Sequence, residues 1–452
     1  NRENGGALMS EEKLAKVYNF CDDYKEFLNV AKTEREAVIE TINIAKSKGF
    51  VEFCEGKKYN AGEKVYVNNR GKAVIFAIIG SEPIEKGVNL MISHIDSPRL
   101  DLKARPLYEE GELAYFKTHY YGGIKKYQWT ATPLALHGVV IKADGTSVVI
   151  TIGENENDPV FCVTDLLPHL ATEQYKRPLN EAIKGEELNI LIGSLPFKDD
   201  AASEKVKLNI MNLIYQKYQI TEKDFISAEL EAVPAFKSRD IGFDRSMIGS
   251  YGQDDRVCAY TTFMATMDMS AVKKTLVCVL SDKEEVGSDG NTGLNSSYLK
   301  YFIKDLAKPM GISGHIVLSN SKCLSTDVNV AFDPTFSDVT EKKNVAYLNY
   351  GVCVTKYTGS RGKSGTSDAS AEFVGKIRNI FDKENVLWQN GELGKVDLGG
   401  GGTVAMYIAN LDVDVIDVGV PVLCMHAPFE VTAKIDVYSA YEAFCAFAKS
   451  AD

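Results

Sequence analysis

The feature that most restricts the fold of this chain is an alternation of strand-like apolar runs with segments of helical periodicity. It extends from residue 240 to the end of the sequence. Such alternation is typical of a parallel sheet covered by helices on both faces. We therefore expect an α/β fold, a three-layer α/β/α sandwich with a mostly parallel central sheet. The predicted segments are helices at 254–269, 294–307, 367–383 and 437–450 and strands at 275–281 and 413–418.

The N-terminal region adds two predicted helices and three predicted strands. Apolar residues recur at helical spacing within residues 11–49, where Thr33 and Glu36 match a capping box and Gly49 is placed to end the second helix. Strand-like runs follow at 64–69, 73–79 and 88–93.

Residues 99–231 interrupt this pattern. Residues 115–127 are rich in aromatic side chains and glycine, and residues 134–152 contain two alternating runs joined at Asp144-Gly145, a strong hairpin signal. We predict a β-rich domain inserted into the main one. The predicted division assigns 1–98 and 236–452 to the main domain and 99–235 to the inserted domain.

Composition disfavours several classes of function. Asp and Glu number 62 against 51 Lys and Arg, a net charge of -11 that argues against binding to nucleic acid or an anionic membrane. The nine cysteines are odd in number and lack Cys-x-x-Cys spacing, so we expect buried thiols rather than disulfides. No apolar stretch has transmembrane length, and the first six residues do not resemble a signal peptide. We therefore expect a cytoplasmic protein.

A histidine is placed where a buried strand is predicted to end. His94 follows the apolar run 88–92, and Asp96 lies two residues later. A carboxylate beside a metal-binding imidazole accepts its second ring N–H and sets its tautomer. A His-x-Asp motif alone is weak evidence, since many such pairs are exposed. Its weight depends on other polar residues that also follow strands, where ligands bind in α/β sheets.

Two acidic pairs supply candidate metal ligands. Asp254-Asp255 opens a predicted helix, where an acidic N-terminal cap is the ordinary explanation, although a carboxylate there can also bridge two cations. Glu284-Glu285 follows the strand 275–281, so that one carboxylate can bind metal while its neighbour reaches the metal-bound water. Solvated loop acids are the alternative, which the tight turn at Gly287 makes less favourable.

Asp327 and His426 complete the candidate set, because each ends an apolar stretch. A lone buried histidine is more often a hydrogen-bonded core residue, and we interpret His119, His137 and His315 in that way. His94 and His426, together with three of the carboxylates named above, nevertheless form a nitrogen and oxygen donor set that suits zinc, manganese or cobalt. The set suffices for two divalent ions that share one carboxylate and hold a bridging water, as in two-metal hydrolases.

In combination these motifs resemble the aspartyl aminopeptidase family of dinuclear zinc aminopeptidases, over essentially the full length of the chain. The matching segments are 93–98, 254–256, 284–288, 325–327 and 425–426. The resemblance implies His94 and Asp327 as ligands of one metal ion, Glu285 and His426 as ligands of the other, Asp254 as the bridge, Glu284 as general base and Asp96 as the residue that orients His94.

The resemblance also implies an assembly. The inserted β-rich domain would mediate dimerisation, and dimers would build a homo-dodecamer whose active sites face inward. His169, in Leu167-Pro168-His169-Leu170, would then reach a neighbouring subunit's site and donate a hydrogen bond to the oxyanion. An ordinary surface histidine is the alternative.

Some positions depart from the family pattern. Lys283 stands where a histidine usually precedes the glutamate pair, and Asp255 stands where asparagine is common. Phe429 stands where an arginine is expected, and the segment 327–334 lacks two histidines that the family usually has there. None of these changes removes a predicted ligand or the base, but they alter the surroundings of the site, so both acidic and neutral N-terminal residues are candidate substrates.

Two glycine-containing loops remain. Residues 358–365 form a basic loop, usually just solvated, which could supply the cation that an acidic substrate needs. The run Gly399–Gly402 fits neither nucleotide-binding fingerprint, so we predict that it allows close approach of backbone.

We expect a metalloaminopeptidase that hydrolyses N-terminal residues from peptides at a dinuclear metal site. A dinuclear carboxypeptidase or amidohydrolase of the same fold is the first alternative, because the ligands alone do not decide which end is cut. A self-assembling scaffold with structural metals is the second. Glu284 argues against the scaffold, since a structural metal site has no use for an unliganded carboxylate beside its ligands.

Overall fold

The computed structural model describes residues 3–198 and 201–451. The chain divides into two compact units. The larger unit comprises Asn1–Asp96, Ser238–Met425 and Phe429–Asp452, and the smaller unit comprises Ser97–Lys237 and His426–Pro428.

The helices lie mainly in the larger unit. In chain order they are α1 (Gly5–Leu8), α2 (Glu11–Val30), α3 (Glu34–Ser47), α4 (Lys205–Tyr218), α5 (Gln253–Met267), α6 (Tyr298–Ala307), α7 (Gly314–Ser319), α8 (Ala371–Lys383), α9 (Ala405–Ala409) and α10 (Lys434–Lys449).

The strands form three separate sheets within the described residues, with nine, seven and five strands. They are β1 (Val51–Glu52), β2 (Lys64–Asn69), β3 (Ala73–Ile78), β4 (Asn89–His94), β5 (Arg99–Glu110), β6 (Leu113–Tyr121), β7 (Leu134–Ile141), β8 (Ser147–Ile152), β9 (Cys162–Val163), β10 (Ile190–Gly193), β11 (Ala228–Pro234), β12 (Arg239–Ile241), β13 (Met247–Ser250), β14 (Leu276–Ser281), β15 (Lys322–Ser325), β16 (Asn329–Val330), β17 (Val352–Thr355), β18 (Trp388–Asn390), β19 (Asp414–Gly419), β20 (Pro421–Leu423) and β21 (Glu430–Ala433).

A mixed, mostly parallel sheet forms the centre of the larger unit. Within the described residues it has nine strands in the order β1-β2-β3-β14-β4-β15-β19-β17-β18. The neighbours β14, β4, β15 and β19 are mutually parallel, whereas β2-β3, β3-β14 and β17-β19 are antiparallel pairs. The α/β fold expected from the sequence is confirmed.

The central strands are buried on both faces. Consecutive side chains of a strand point to opposite sides of a sheet, and all six residues of β3 are buried. In β3, Phe76 and Ile78 join a core with residues of α2, α3, α5, α8 and α10, whereas Ile75 and Ala77 join a second core with residues of α6, α7 and α9. Helices therefore cover both faces, which gives the three layers. The capping box of Thr33 and Glu36 at the start of α3 is present as predicted.

The smaller unit contains a second sheet, with seven strands in the described residues, in the order β8-β7-β11-β5-β6-β10-β9. The predicted hairpin is present, since β7 pairs antiparallel with β8 across Asp144-Gly145. The unit also contains α4, a helix that the sequence analysis did not predict. No helix in residues 3–198 and 201–451 is both long and apolar enough to cross a membrane.

Candidate metal centre

Three adjacent parallel strands bring most of the predicted site residues of the larger unit to one edge of the sheet, while Asp254 lies in the first turn of α5. His94 is the last residue of β4 and pairs in register with Ser281, the last residue of β14. The strand β15 pairs with the other side of β4 and ends two residues before Asp327. Because parallel strands end at the same edge, the polar residues that follow them meet there.

The His94 imidazole lies at the middle of this group and is buried. Its Nδ1 is 2.9 Å from the backbone carbonyl of Asp96, which can only accept, so Nδ1 is the donor. Four carboxylates surround the other nitrogen, with distances from His94 Nε2 of 3.1 Å to Asp254 Oδ1, 3.3 Å to Asp327 Oδ1, 3.4 Å to Glu284 Oε2 and 3.9 Å to Glu285 Oε1.

This concentration of negative charge in a buried place requires positive charge. Burial, followed by repulsion from Asp327, raises the pKa of Glu284 well above its usual value, and burial raises the pKa of Asp327. Burial would lower the pKa of His94, but the carboxylates of Glu284 and Asp327 raise it well above the ordinary value. One imidazolium cannot compensate four carboxylates. Divalent cations can, and the nitrogen and oxygen donors present are those that zinc accepts.

Potential ligand atoms lie close enough to share an ion. Single donor atoms of His94, Asp255 and Asp327 lie within 4.8 Å of one another, and so do those of His94, Glu284 and Glu285. The chemistry and spacing of these groups therefore fit a metal centre.

The Asp96 carboxylate holds the turn that carries both glutamates. The backbone N–H of Glu284 donates to Asp96 Oδ1 at 3.2 Å, and that of Glu285 donates to Oδ2 at 3.0 Å. Asp96 Oδ1 also lies 3.3 Å from His94 Nδ1. The Tyr407 hydroxyl also donates a hydrogen bond to this turn, to the carbonyl of Gly287 at 2.9 Å.

Asp255 is a part of the centre that the sequence analysis did not assign. Its Oδ2 accepts the backbone N–H of His94 at 3.2 Å, and burial raises the pKa of its carboxyl well above the usual value. The preceding Asp254 donates its backbone N–H to Glu430 Oε1 at 3.2 Å, and the Asp254–Asp255 peptide bond is cis. Its place beside a predicted ligand was the signal available in the sequence.

Comparison with known proteins identifies the chain. A family model described as aminopeptidase I zinc metalloprotease (M18) matches residues 27–448. The chain belongs to the M18 aminopeptidase family. The family resemblance, the fold class and the enzyme class predicted above are confirmed: the protein is a metallo-aminopeptidase of a zinc-dependent family.

Individual M18 relatives match over nearly the whole chain. A probable M18 family aminopeptidase 1 of Clostridium acetobutylicum is 51% identical over 453 residues, which cover 98% of this chain and 97% of the relative. The crystal structure of an M18 aminopeptidase from Thermotoga maritima has a TM-score of 0.95 at 43% identity and covers 99% of each chain. The structure of the S. cerevisiae mApe1 dodecamer has a TM-score of 0.77 at 19% identity, over 95% of this chain and 96% of that one, a likeness of fold.

The remaining predicted site residues of this M18 chain, His426 and His169, belong to the smaller unit. His426 Nδ1 lies 2.7 Å from the carbonyl oxygen of Gly123, which requires Nδ1 to carry the proton and leaves the lone pair on Nε2. His169 is exposed in the short helical turn Pro168–Leu170. The roles of both residues remain predictions. The structural interpretation of His137 agrees with its 2.7 Å contact to Glu154.

One departure from the M18 pattern, Phe429, and the two glycine-containing loops have local contacts in the structure. The Phe429 ring packs over Gly249, where a Cβ would lie 2.1 Å from Phe429 Cζ. In the basic loop, Lys363 pairs with Asp368 at 2.9 Å. The glycine run allows close approach of backbone, as predicted, since a Cβ at Gly399 would lie 2.1 Å from the carbonyl oxygen of Leu393.

Proposed function

We propose that this M18 aminopeptidase holds two divalent ions per chain, zinc in the first instance, with manganese or cobalt as replacements. His94 and Asp327 are the proposed ligands of one ion, Glu285 and His426 those of the other, and Asp254 the bridge. The observation that carries the proposal is the convergence of four carboxylates on His94 Nε2, that of Asp254 buried and the other three half-buried. For His426, support comes from its hydrogen bond to Gly123, which leaves Nε2 able to bind a metal.

Bound divalent ions would polarise the scissile carbonyl and bring the pKa of a water towards neutrality. The other steps belong to side chains. Glu284 accepts a proton at Oε2 from the attacking water and returns it to the leaving amine, as a general base and then a general acid. Asp96 positions Glu284 by accepting its backbone N–H and orients His94 through its backbone carbonyl.

Peptides cleaved at their N-terminal residue are the proposed substrates, and we propose a preference for uncharged over acidic residues. Two observations support this preference. Lys363, a cation of the loop that would recognise an acidic side chain, is already paired with Asp368. Phe429, at the position where an arginine was expected, packs in an apolar setting against Gly249 and beside Ile241, whose Cδ1 would also meet a Cβ on Gly249.

A homo-oligomer is the proposed active form, a dodecamer built from dimers, in which His169 completes the site of a neighbouring subunit. Leucines exposed by half or more surround His169, with exposed fractions of 50% for Leu166, 51% for Leu167 and 68% for Leu170. Contiguous exposed apolar residues are typical of association surfaces. The fold is also that of mApe1, which forms a dodecamer. A cytoplasmic location remains a prediction from the sequence.

Metal analysis combined with kinetics tests the proposal. Exhaustive chelation should abolish hydrolysis of aminoacyl p-nitroanilides, and zinc, manganese or cobalt should restore it. The native protein should contain close to two ions per chain. Full activity in protein shown to be metal-free would refute the proposal. A panel of Leu, Met, Asp and Glu substrates measures the preference, and faster cleavage of Asp or Glu would contradict that part.

Neighbouring glutamates provide a matched pair of variants. Glu284→Gln should keep both ions and lower kcat by roughly 10²–10⁴-fold, the usual contribution of a general base. Glu285→Ala should instead lose metal, because it removes a ligand. Equal metal loss in the two variants would show that the two roles are wrongly assigned.

A further inference from the structure

A buried glutamine begins the helix α5. The side-chain amide of Gln253 forms hydrogen bonds through both of its polar atoms. Gln253 Nε2 donates to the backbone carbonyls of Ile248 at 3.0 Å and Glu430 at 2.8 Å. Gln253 Oε1 accepts from the hydroxyls of Tyr24 at 3.1 Å and Thr432 at 2.6 Å. An amide has two donor hydrogens and two acceptor lone pairs, so this amide is fully satisfied.

The four partners fix the orientation of the Gln253 amide. Backbone carbonyls can only accept, so Nε2 must face Ile248 and Glu430, and Oε1 must face the two hydroxyls. The partners belong to three other elements of the larger unit, namely α2, β13 and β21. A buried polar network whose groups are satisfied restrains its side chains to one arrangement. The first residue of α5 is therefore held against a helix and two strands by its own side chain.

The position of Asp254, the next residue, depends on this amide. The backbone angles of Asp254 (φ -83°, ψ 103°) are not helical, and the first N–H groups of a helix have no partner within it. The Asp254 N–H donates instead to Glu430 Oε1 at 3.2 Å. Glu430 thus holds both neighbours, Asp254 through its carboxylate and Gln253 through its backbone carbonyl. Successive Cα atoms are only about 3.8 Å apart, so a shift of Gln253 would also move Asp254.

We propose that Gln253 is a positioning residue for Asp254: the held amide keeps the Asp254 carboxylate aimed at the metal centre. The inference rests on the proposed function, in which Asp254 bridges two ions. Asp254 Oδ1 lies 3.1 Å from His94 Nε2, and a bridging carboxylate has to face both ions at once. Loss of a group that supports a metal ligand typically costs about 10- to 100-fold in metal affinity or activity. Metal affinity is therefore the quantity that this amide should control.

Thr432→Val and Thr432→Ser form the decisive pair of variants. Valine keeps the shape of the side chain but removes the hydroxyl, whereas serine keeps the hydroxyl and loses the methyl group. The zinc dissociation constant of the assembled protein, measured by competition with a chelator, should rise about 3- to 10-fold in Thr432→Val, the value of one net hydrogen bond. It should stay within twofold of the wild type in Thr432→Ser. Tyr24→Phe, which keeps the ring packed against Tyr260, should behave like Thr432→Val.

Thr41→Val is the matched control for the loss of a buried hydroxyl. The Thr41 hydroxyl donates within α3, to the carbonyl of Ala37 at 2.7 Å, so the control should lower the melting temperature and leave the zinc dissociation constant unchanged. Two results would overturn the proposal. One is a dissociation constant within twofold of the wild type in folded Thr432→Val or Tyr24→Phe. The other is a Thr432→Ser protein that binds zinc as weakly as Thr432→Val, which would indicate packing rather than the hydrogen bond.

Asp254→Ala tests the underlying assignment separately. If this variant keeps both ions at wild-type affinity, the proposed bridge itself is wrong. If it loses metal while Thr432→Val and Tyr24→Phe bind zinc as the wild type does, the bridge stands and only the positioning role of Gln253 fails.

Discussion

Asp96→Asn is the substitution that most directly tests how the metal centre is held. The carboxylate accepts the backbone N–H groups of Glu284 and Glu285 at 3.2 and 3.0 Å. Asparagine keeps one oxygen but replaces the other with a donor, so one of these two hydrogen bonds is lost. The backbone carbonyl that accepts the His94 Nδ1–H is unchanged by the substitution.

The size of the effect follows from this loss. A hydrogen bond to a charged group contributes about 1.5–3 kcal/mol, and every ~1.4 kcal/mol is tenfold in an equilibrium or rate constant. We therefore expect Asp96→Asn to lower metal affinity or kcat/KM by roughly 10- to 100-fold, the range found for groups that support metal ligands. Asp96→Ala should lose more, because it removes both acceptors.

The assay is kcat/KM on a leucine p-nitroanilide together with the metal Kd from competition with a chelator. Asp338→Asn is the matched control, since Asp338 is exposed and the chemical change is the same. A folded Asp96→Asn protein within twofold of the wild type in both quantities would refute the role given to Asp96.

The remaining predictions concern the assembly and the pH dependence of stability. Mixed oligomers of His169→Ala and Glu284→Gln subunits, each nearly inactive alone, should regain part of the activity if His169 acts in a neighbouring site; mixed oligomers verified by mass that stay inactive would exclude this. Pairing with Lys25 and the buried Lys434 outweighs burial and lowers the pKa of Asp240 to about 2, from 3.8. A lowered pKa stabilises the folded state above the unfolded pKa, so about 1–2 kcal/mol, after allowance for solvent screening, should be lost as the pH falls from about 4 to 2. Denaturant unfolding at several pH values should show a weaker pH dependence for Asp240→Asn, and an unchanged dependence would contradict the ion-pair argument.

The sequence by itself determined the local structure and the donor chemistry. The capping box at Thr33 and Glu36, the hairpin at Asp144-Gly145 and the strand that ends at His94 depend on near neighbours, which sequence shows directly. The alternation of strand-like apolar runs with segments of helical periodicity likewise predicted helices on both faces of a mostly parallel sheet. The presence of carboxylates and imidazoles after strands indicated a nitrogen and oxygen metal site.

Only the tertiary structure decided which of these groups meet. β14 and β15 lie on either side of β4, although their paired residues are 187 and 233 positions away along the chain. Strand order depends on the packing of the whole sheet, which no local pattern encodes. For the same reason the contact of the Asp96 carboxylate with the backbone of Glu284 and the place of Asp255 beside His94 became visible only in the folded chain.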